Sequence, residues 1–140
     1  RMFLFVGKKV TGSDQGDSLV VKELKKAGAK IMIGHRAQNI PRKCDLLVYT
    51  IAVPEDNPEL QEARQRNLLI LSYPEILGQL SKQKFTVAIA GTHGKTTTTA
   101  MIAQIALAAK LDPTVIVGSF LLREDNNNKT NFLFCWSFFR

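Results

Sequence analysis

Short β-like runs alternate with helical ones from residue 8 to residue 82, and this alternation limits the fold more than any other feature of the chain. "KKVTGSD" (8–14) reads as a strand entering a Gly-Ser-Asp turn. "SLVVKELKKAGA" (18–29) reads as an amphipathic helix. Leu19, Val20, Leu24 and Ala27 share one face, Lys22, Lys25 and Lys26 point away, and Gly28 stops it. "KIMIG" (30–34) and "DLLVYT" (45–50) read as strands, with "IPRKC" as a turn between them. Asn57 precedes Pro58, which places the proline in the first turn of a helix, where its missing N–H does no harm. That helix, "PELQEARQR", has acids at its start and arginines at its end, matching the helix dipole. "NLLILS" (67–72) is a fourth strand, "YPEILGQLSK" (73–82) a short helix, and polar "SKQK" (81–84) a linker. Strands joined through helices predict an α/β fold, a Rossmann-like parallel sheet with right-handed crossovers. Ligands bind such sheets at the carboxyl ends of the strands, here "GSD" (12–14), "GH" (34–35) and "YTIAV" (49–53).

The chemistry changes after residue 84. "FTVAIA" (85–90) reads as a continuous apolar strand of the kind buried in a parallel sheet. "GTHGK" follows, then a helix from about Thr96 to Ala109, then a turn and a further buried strand in "LDPTVIVG" (111–118). Strand, glycine loop and helix in this order are what a phosphate loop needs. Gly91 and Gly94 allow a tight turn with inward N–H groups, and the helix N-terminus adds its dipole. Lys95 is placed to reach the β- and γ-phosphates of ATP, and the Thr96 hydroxyl to ligate Mg²⁺. Four consecutive threonines are a poor choice for a helix on propensity alone. One can hold the metal and one can cap the helix, while Thr98 and Thr99 are packing or surface residues. His93 either shapes the loop and touches phosphate or acts as a general acid or base.

The loop departs from the common G-x-x-x-x-G-K-[ST] pattern, because Ile89 stands where its first glycine would be. The acids that follow Lys95 are Asp112, Glu124 and Asp125, and none ends an apolar strand, where a second metal ligand is expected.

Composition narrows the remaining classes. No apolar run approaches the ~18 residues that span a membrane. The net charge of +7 is scattered, with no basic block interleaved with aromatics, which argues against nucleic acid as a partner. Cys44 and Cys135 are far apart and outside metal-ligand spacing, so they read as incidental thiols of a cytoplasmic protein. "RMFLFVG" reads as the tail of a helix whose preceding strand lies before Arg1. Aromatic-rich "FLFCWSFFR" (132–140) reads as a terminus out of context rather than an interaction strand.

"AIAGTHGKTTTTAMIA" resembles the ATP loop of the Mur ligases, whose shortened G-T-x-G-K-[ST]-T form accounts for the absent glycine. "VTGSD", "GAKIMIGH", "YTIAVPEDNPELQEARQRN" and "SYPEILGQLSK" are similar to successive segments of the family's UDP-sugar domain. Thr50 and Ile51 stand where serines are common in the family. The resemblance runs from about Arg1 to Phe120. It implies a UDP-sugar domain over 1–82, lacking its first strand and Gly-rich loop, then the start of a P-loop ATPase domain over 83–140. It implies an ATP site of Gly91, Thr92, His93, Gly94, Lys95, Thr96 and Thr97, with Lys95 acting on the moving phosphoryl group and Thr96 on Mg²⁺. Asp14, His35 and Thr50 become UDP-sugar contacts, with turn capping the alternative for Asp14 and an ordinary surface loop that for His35. His93 in the loop is similar to the branch that joins L-alanine to UDP-N-acetylmuramate through an acyl phosphate. A branch that recycles murein tripeptide onto the same acceptor shares the loop type. A non-catalytic nucleotide-binding fragment is the reading from another class. The implied Mg²⁺ acids and amino-acid domain lie after Arg140, and oligomeric state is not legible.

Overall fold

A computed structural model describes residues 1–122 and 129–133. The chain divides into two compact units, with the boundary between Thr86 and Val87.

A single helical turn, α1 (Met2–Phe5), opens the chain, matching the helix tail read from "RMFLFVG". The first unit then runs β1 (Thr11–Asp14), α2 (Leu19–Lys26), β2 (Lys30–Ile33), a 3₁₀ turn (Ala37–Asn39), β3 (Leu47–Tyr49), α3 (Pro58–Gln65), β4 (Ile70–Ser72) and α4 (Tyr73–Ser81). β1 pairs parallel with β2, Thr11 opposite Lys30, and β3 pairs parallel with β4, Leu47 opposite Ile70. Parallel neighbours require a crossover, and α2 and α3 supply one each. The two pairs are not hydrogen-bonded to each other, so the expected single sheet is two parallel ribbons. Residues of both β1 and β3 line one cavity.

Local chemistry fixes the helix ends. Ser18 caps α2 by accepting the Val21 N–H, and Gly28 ends it at φ +98°, with Ala29 N–H bonding the Leu24 carbonyl at 2.9 Å. Within α2 the buried residue is Val21, whereas Leu19 is 61% exposed, so the helix is rotated from the apolar face expected. Asn57 caps α3, its Oδ1 accepting from Glu59 and Leu60 N–H with Pro58 in the first turn. Asn67, at φ +51°, closes the other end of α3 through Leu68 N–H to the Ala63 carbonyl. Ser72 and Glu75 form a reciprocal capping box on α4. Leu60, Ala63, Val21, Ala29, Ile40 and Ile76 make the unit's apolar core. Burying Leu60 contributes about 1.5–3 kcal/mol.

The second unit holds α5 (Lys95–Ala108), β5 (Val115–Leu122) and β6 (Lys129–Leu133). Two expectations fail here. Residues 85–90 form no strand, and Phe85 is 99% exposed and Val87 58%. A buried parallel strand needs a partner for its N–H and C=O groups, and none of the described residues pairs with this segment. β5 is a strand as expected, but it pairs antiparallel with β6, and Val115 is buried while Ile116 is 38% exposed. That alternation is the mark of a sheet with one wet face, not a doubly covered one. β6 was not foreseen, because its polar "KTN" lacks a strand pattern. Most of the aromatic "FLFCWSFFR" segment (134–140), with Cys135, lies outside the described residues, as do Glu124 and Asp125.

Candidate functional site

A cavity of about 230 Å³ lies alongside β1 and β3 within the first unit, and its lining extends to His35 and Thr50, just past β2 and β3. Its lining includes Gly12, Ser13, His35, Asn39, Thr50 and Glu59, so the three expected strand ends do converge. Glu59 organises its polar side. The Asn57 cap and Pro58 start α3 so that Glu59 sits in the helix's first turn, where the dipole favours a carboxylate. Its Oε2 accepts the Ser13 hydroxyl at 2.6 Å. Its Oε1 accepts Asn39 Nδ2–H at 2.7 Å and the Arg36 N–H at 3.2 Å. Asn39 Nδ2 also donates to the Gly34 carbonyl at 2.9 Å. Ser13 Oγ lies 3.0 Å from His35 Nδ1, which is 3.8 Å from Glu59 Oε1.

The order of these groups decides what they can do. Ser13 stands between the acid and the histidine, whereas a nucleophile relay places the histidine in the middle. With its hydrogen committed to Glu59, Ser13 is not activated by His35. The arrangement is a binding wall, not a hydrolase triad.

Of the expected sugar contacts, His35 and Thr50 line this cavity. Thr50 Oγ1 accepts the Ala52 N–H at 3.4 Å. Asp14 is exposed and does not line the cavity; its Oδ1 accepts the Gly16 N–H at 3.1 Å, the turn-capping alternative. Ser13, Asn39 and Glu59 were not singled out from the sequence. Ser13 stands in the same "GSD" strand end as Asp14, which was the signal available for it.

The loop belongs to the second unit. Gly91 and Gly94 take φ +149° and +75°, where glycine is favoured, and α5 begins at Lys95. No side chain caps α5, and Gly94 occupies the cap position. The expected threonine cap is therefore corrected. Helical geometry starts before Thr96, which puts the whole threonine run inside α5, and Thr99 Oγ1 bonds the Lys95 carbonyl instead. Lys95 Nζ donates to the carbonyls of Gly91 at 2.5 Å and Thr92 at 3.2 Å. Gly91, Thr92, His93, Gly94, Lys95, Thr96 and Thr97 all lie exposed on the loop and first turn. A helix N-terminus without a side-chain cap, behind two glycines and a lysine, fits a phosphate group. Thr96 offers a hard oxygen suited to Mg²⁺. Among the described residues no three His, Cys, Asp or Glu side chains form a metal cluster, and no helix is long and apolar enough to cross a membrane.

Parallel strands joined by helices define an α/β protein. Residues 1–85 match the family model described as Mur ligase family, catalytic domain, and the chain belongs to the Mur ligase family. It is 51% identical over 121 residues, 86% of its length, to a UDP-N-acetylmuramate–L-alanine ligase of Clostridium perfringens, and covers 26% of that protein. It is 47% identical over 129 residues, 92% of its length, to the enzyme of the same name from Aquifex aeolicus, and covers 28% of it. The structure of a UDP-N-acetylmuramate–alanine ligase from Thermotoga maritima superposes with TM-score 0.82 at 30% identity, over 96% of this chain and 31% of that one. A murein peptide ligase from Psychrobacter arcticus gives TM-score 0.79 at 26% identity, over 97% of this chain and 31% of that one. The chain thus spans about a quarter of the length of the relatives it matches.

Proposed function

We propose that the chain is part of a cytoplasmic UDP-N-acetylmuramate–L-alanine ligase of peptidoglycan synthesis. Residues 1–82 form its UDP-sugar domain and residues 83–140 the beginning of its ATP domain. The observation that carries the reading is the convergence of Ser13, His35, Asn39 and Thr50 on one cavity. The GTHGKT loop at the head of α5 supports the ATP half. In the proposed reaction a muramoyl carboxylate oxygen attacks the γ-phosphorus of ATP and ADP leaves. The amine of L-alanine then attacks the acyl carbon, phosphate leaves and the amine gives up a proton. Lys95 would exchange its two carbonyl partners for the γ-phosphoryl oxygens and hold their developing charge. Mg²⁺, held in part by Thr96, would neutralise the phosphate oxygens. His93 would shape the loop. His35 and Thr50 would contact the UDP-sugar, while Asp14 keeps its turn. Two observations favour L-alanine over a tripeptide: relatives 44% to 52% identical to the chain are named alanine-adding ligases, and among solved structures the alanine ligase is 30% identical against 26% for the murein peptide ligase. By itself the 140-residue chain is expected to turn over no ATP.

Residue-level NMR titration of the ¹⁵N-labelled chain tests this. UDP-N-acetylmuramate should shift the amides of residues 12–13 and 35–39, and ATP with Mg²⁺ those of residues 91–97. UDP-N-acetylmuramate shifts confined to other residues would overturn the sugar-site assignment, and ATP shifts that bypass 91–97 would overturn the loop assignment.

A further inference from the structure

We infer that Glu59 is a positioning residue that sets the tautomer of His35 through Ser13, so that the cavity presents hydrogen-bond acceptors to its ligand.

The hydrogens available to Ser13 and Asn39 decide the matter. A serine hydroxyl has one, and the 2.6 Å bond to a carboxylate oxygen takes it. At 3.0 Å from Ser13 Oγ, His35 Nδ1 must then be the donor, accepted by the serine's lone pair. Glu59 Oε1, 3.8 Å away, also favours a proton on Nδ1 over a lone pair. In the neutral ring this leaves Nε2 bare, an acceptor with no partner among the described residues. The same count applies to Asn39. Its two amide hydrogens go to Gly34 O and Glu59 Oε1, which fixes the amide orientation and leaves Oδ1 as an acceptor. No lysine or arginine side chain lines the cavity. Two bare acceptors and no fixed cation suit a ligand group that brings hydrogens, such as a ribose hydroxyl or a base N–H, rather than a phosphate. The tautomer stands on the bonds alone; its use in recognition rests on the UDP-sugar reading.

The chain has two histidines, so long-range ¹H–¹⁵N spectra at a pH where the ring is neutral read His35 directly. The expected state is protonated Nδ1 and bare Nε2; the opposite tautomer overturns the proposal. Glu59→Gln makes a sharper demand. Asn39 and the Arg36 N–H hold the new amide's oxygen where Oε1 was, so its NH₂ faces Ser13. The serine then turns its hydrogen onto His35 Nδ1, and the tautomer inverts to Nε2–H. A folded Glu59→Gln protein with an unchanged tautomer contradicts the role of Glu59. Should that variant not fold, Ser13→Ala removes the bridge and should raise the Nε2–H population; an unaltered Nδ1–H state contradicts the proposed route through Ser13. For the ligand half, uridine should shift the His35 Nε2 resonance and inorganic pyrophosphate should not. A response to pyrophosphate in place of uridine overturns the acceptor assignment. A correct tautomer with no response to uridine overturns the ligand half and traces that failure to the UDP-sugar reading, leaving the role of Glu59 intact.

Discussion

The ammonium group of Lys95 donates to the carbonyl oxygen of Gly91 at 2.5 Å, four residues back along its own loop. The lysine's charge is thus satisfied by carbonyls of its own loop. Binding phosphate exchanges these carbonyls for charged oxygens, a charge-assisted contact contributing about 1.5–3 kcal/mol. Lys95→Ala should therefore weaken binding of a fluorescent ATP analogue by roughly 10- to 100-fold. An unchanged affinity would remove Lys95 from the phosphate site.

The capping box on α4 makes a pH prediction. The Ser72 hydroxyl and N–H both donate to Glu75 and hold its carboxyl below the usual range. A carboxyl lowered in the folded state stabilises fully above its unfolded value, and the stabilisation is lost as pH falls through the lowered one. Urea midpoints of the wild type and Glu75→Gln should differ at neutral pH and converge under acid. A gap that persists in acid would assign the effect to something other than the charge.

Ser72 is buried beside that carboxylate and caps the helix through Glu75 N–H. Ser72→Ala should destabilise the first unit by about 1 kcal/mol. Leu60, 2% exposed at the centre of the core, should cost more: about 2–5 kcal/mol for Leu60→Ala. Chemical denaturation followed by circular dichroism checks the order of the two variants.

Apolar side chains left in water make a third kind of prediction. Phe85, Met101 and Ile105 are 99%, 61% and 67% exposed. Surfaces of this kind bind hydrophobic dyes and self-associate. The isolated chain should bind an anilinonaphthalene dye, and Met101→Lys with Ile105→Lys should reduce both dye binding and the light scattering of concentrated solutions. Unchanged scattering would mean the association runs through another surface.

Much of the fold was legible because its signals are local. Ser18 and Gly28 bound α2, and Asn57 with Pro58 starts α3, each through a bond made within a few residues. What escaped depends on partners far along the chain. Apolar "FTVAIA" has a strand's composition, yet a strand also needs a neighbour to accept its N–H groups, and composition does not supply one. β6 is the converse, a polar segment made strand by pairing with β5. In the cavity, His35 and Thr50 could be read from the strand ends. Glu59 could not, because it reaches Ser13 across 46 residues and looked like an ordinary helix-dipole acid. Ser13, next to Asp14 in the same strand end, lines the cavity, while the Asp14 carboxylate accepts the Gly16 N–H.

The central claim, that this chain supplies the UDP-sugar wall and ATP loop of an alanine-adding ligase, is met most directly by a chimera. The chain replaces the segment it matches over 129 residues in the Aquifex aeolicus ligase, and phosphate release is measured. The account predicts release that requires ATP, UDP-N-acetylmuramate and L-alanine together, and that falls by about 10²–10³ in Lys95→Ala. A folded chimera that releases no phosphate, or releases it without UDP-N-acetylmuramate, would contradict it.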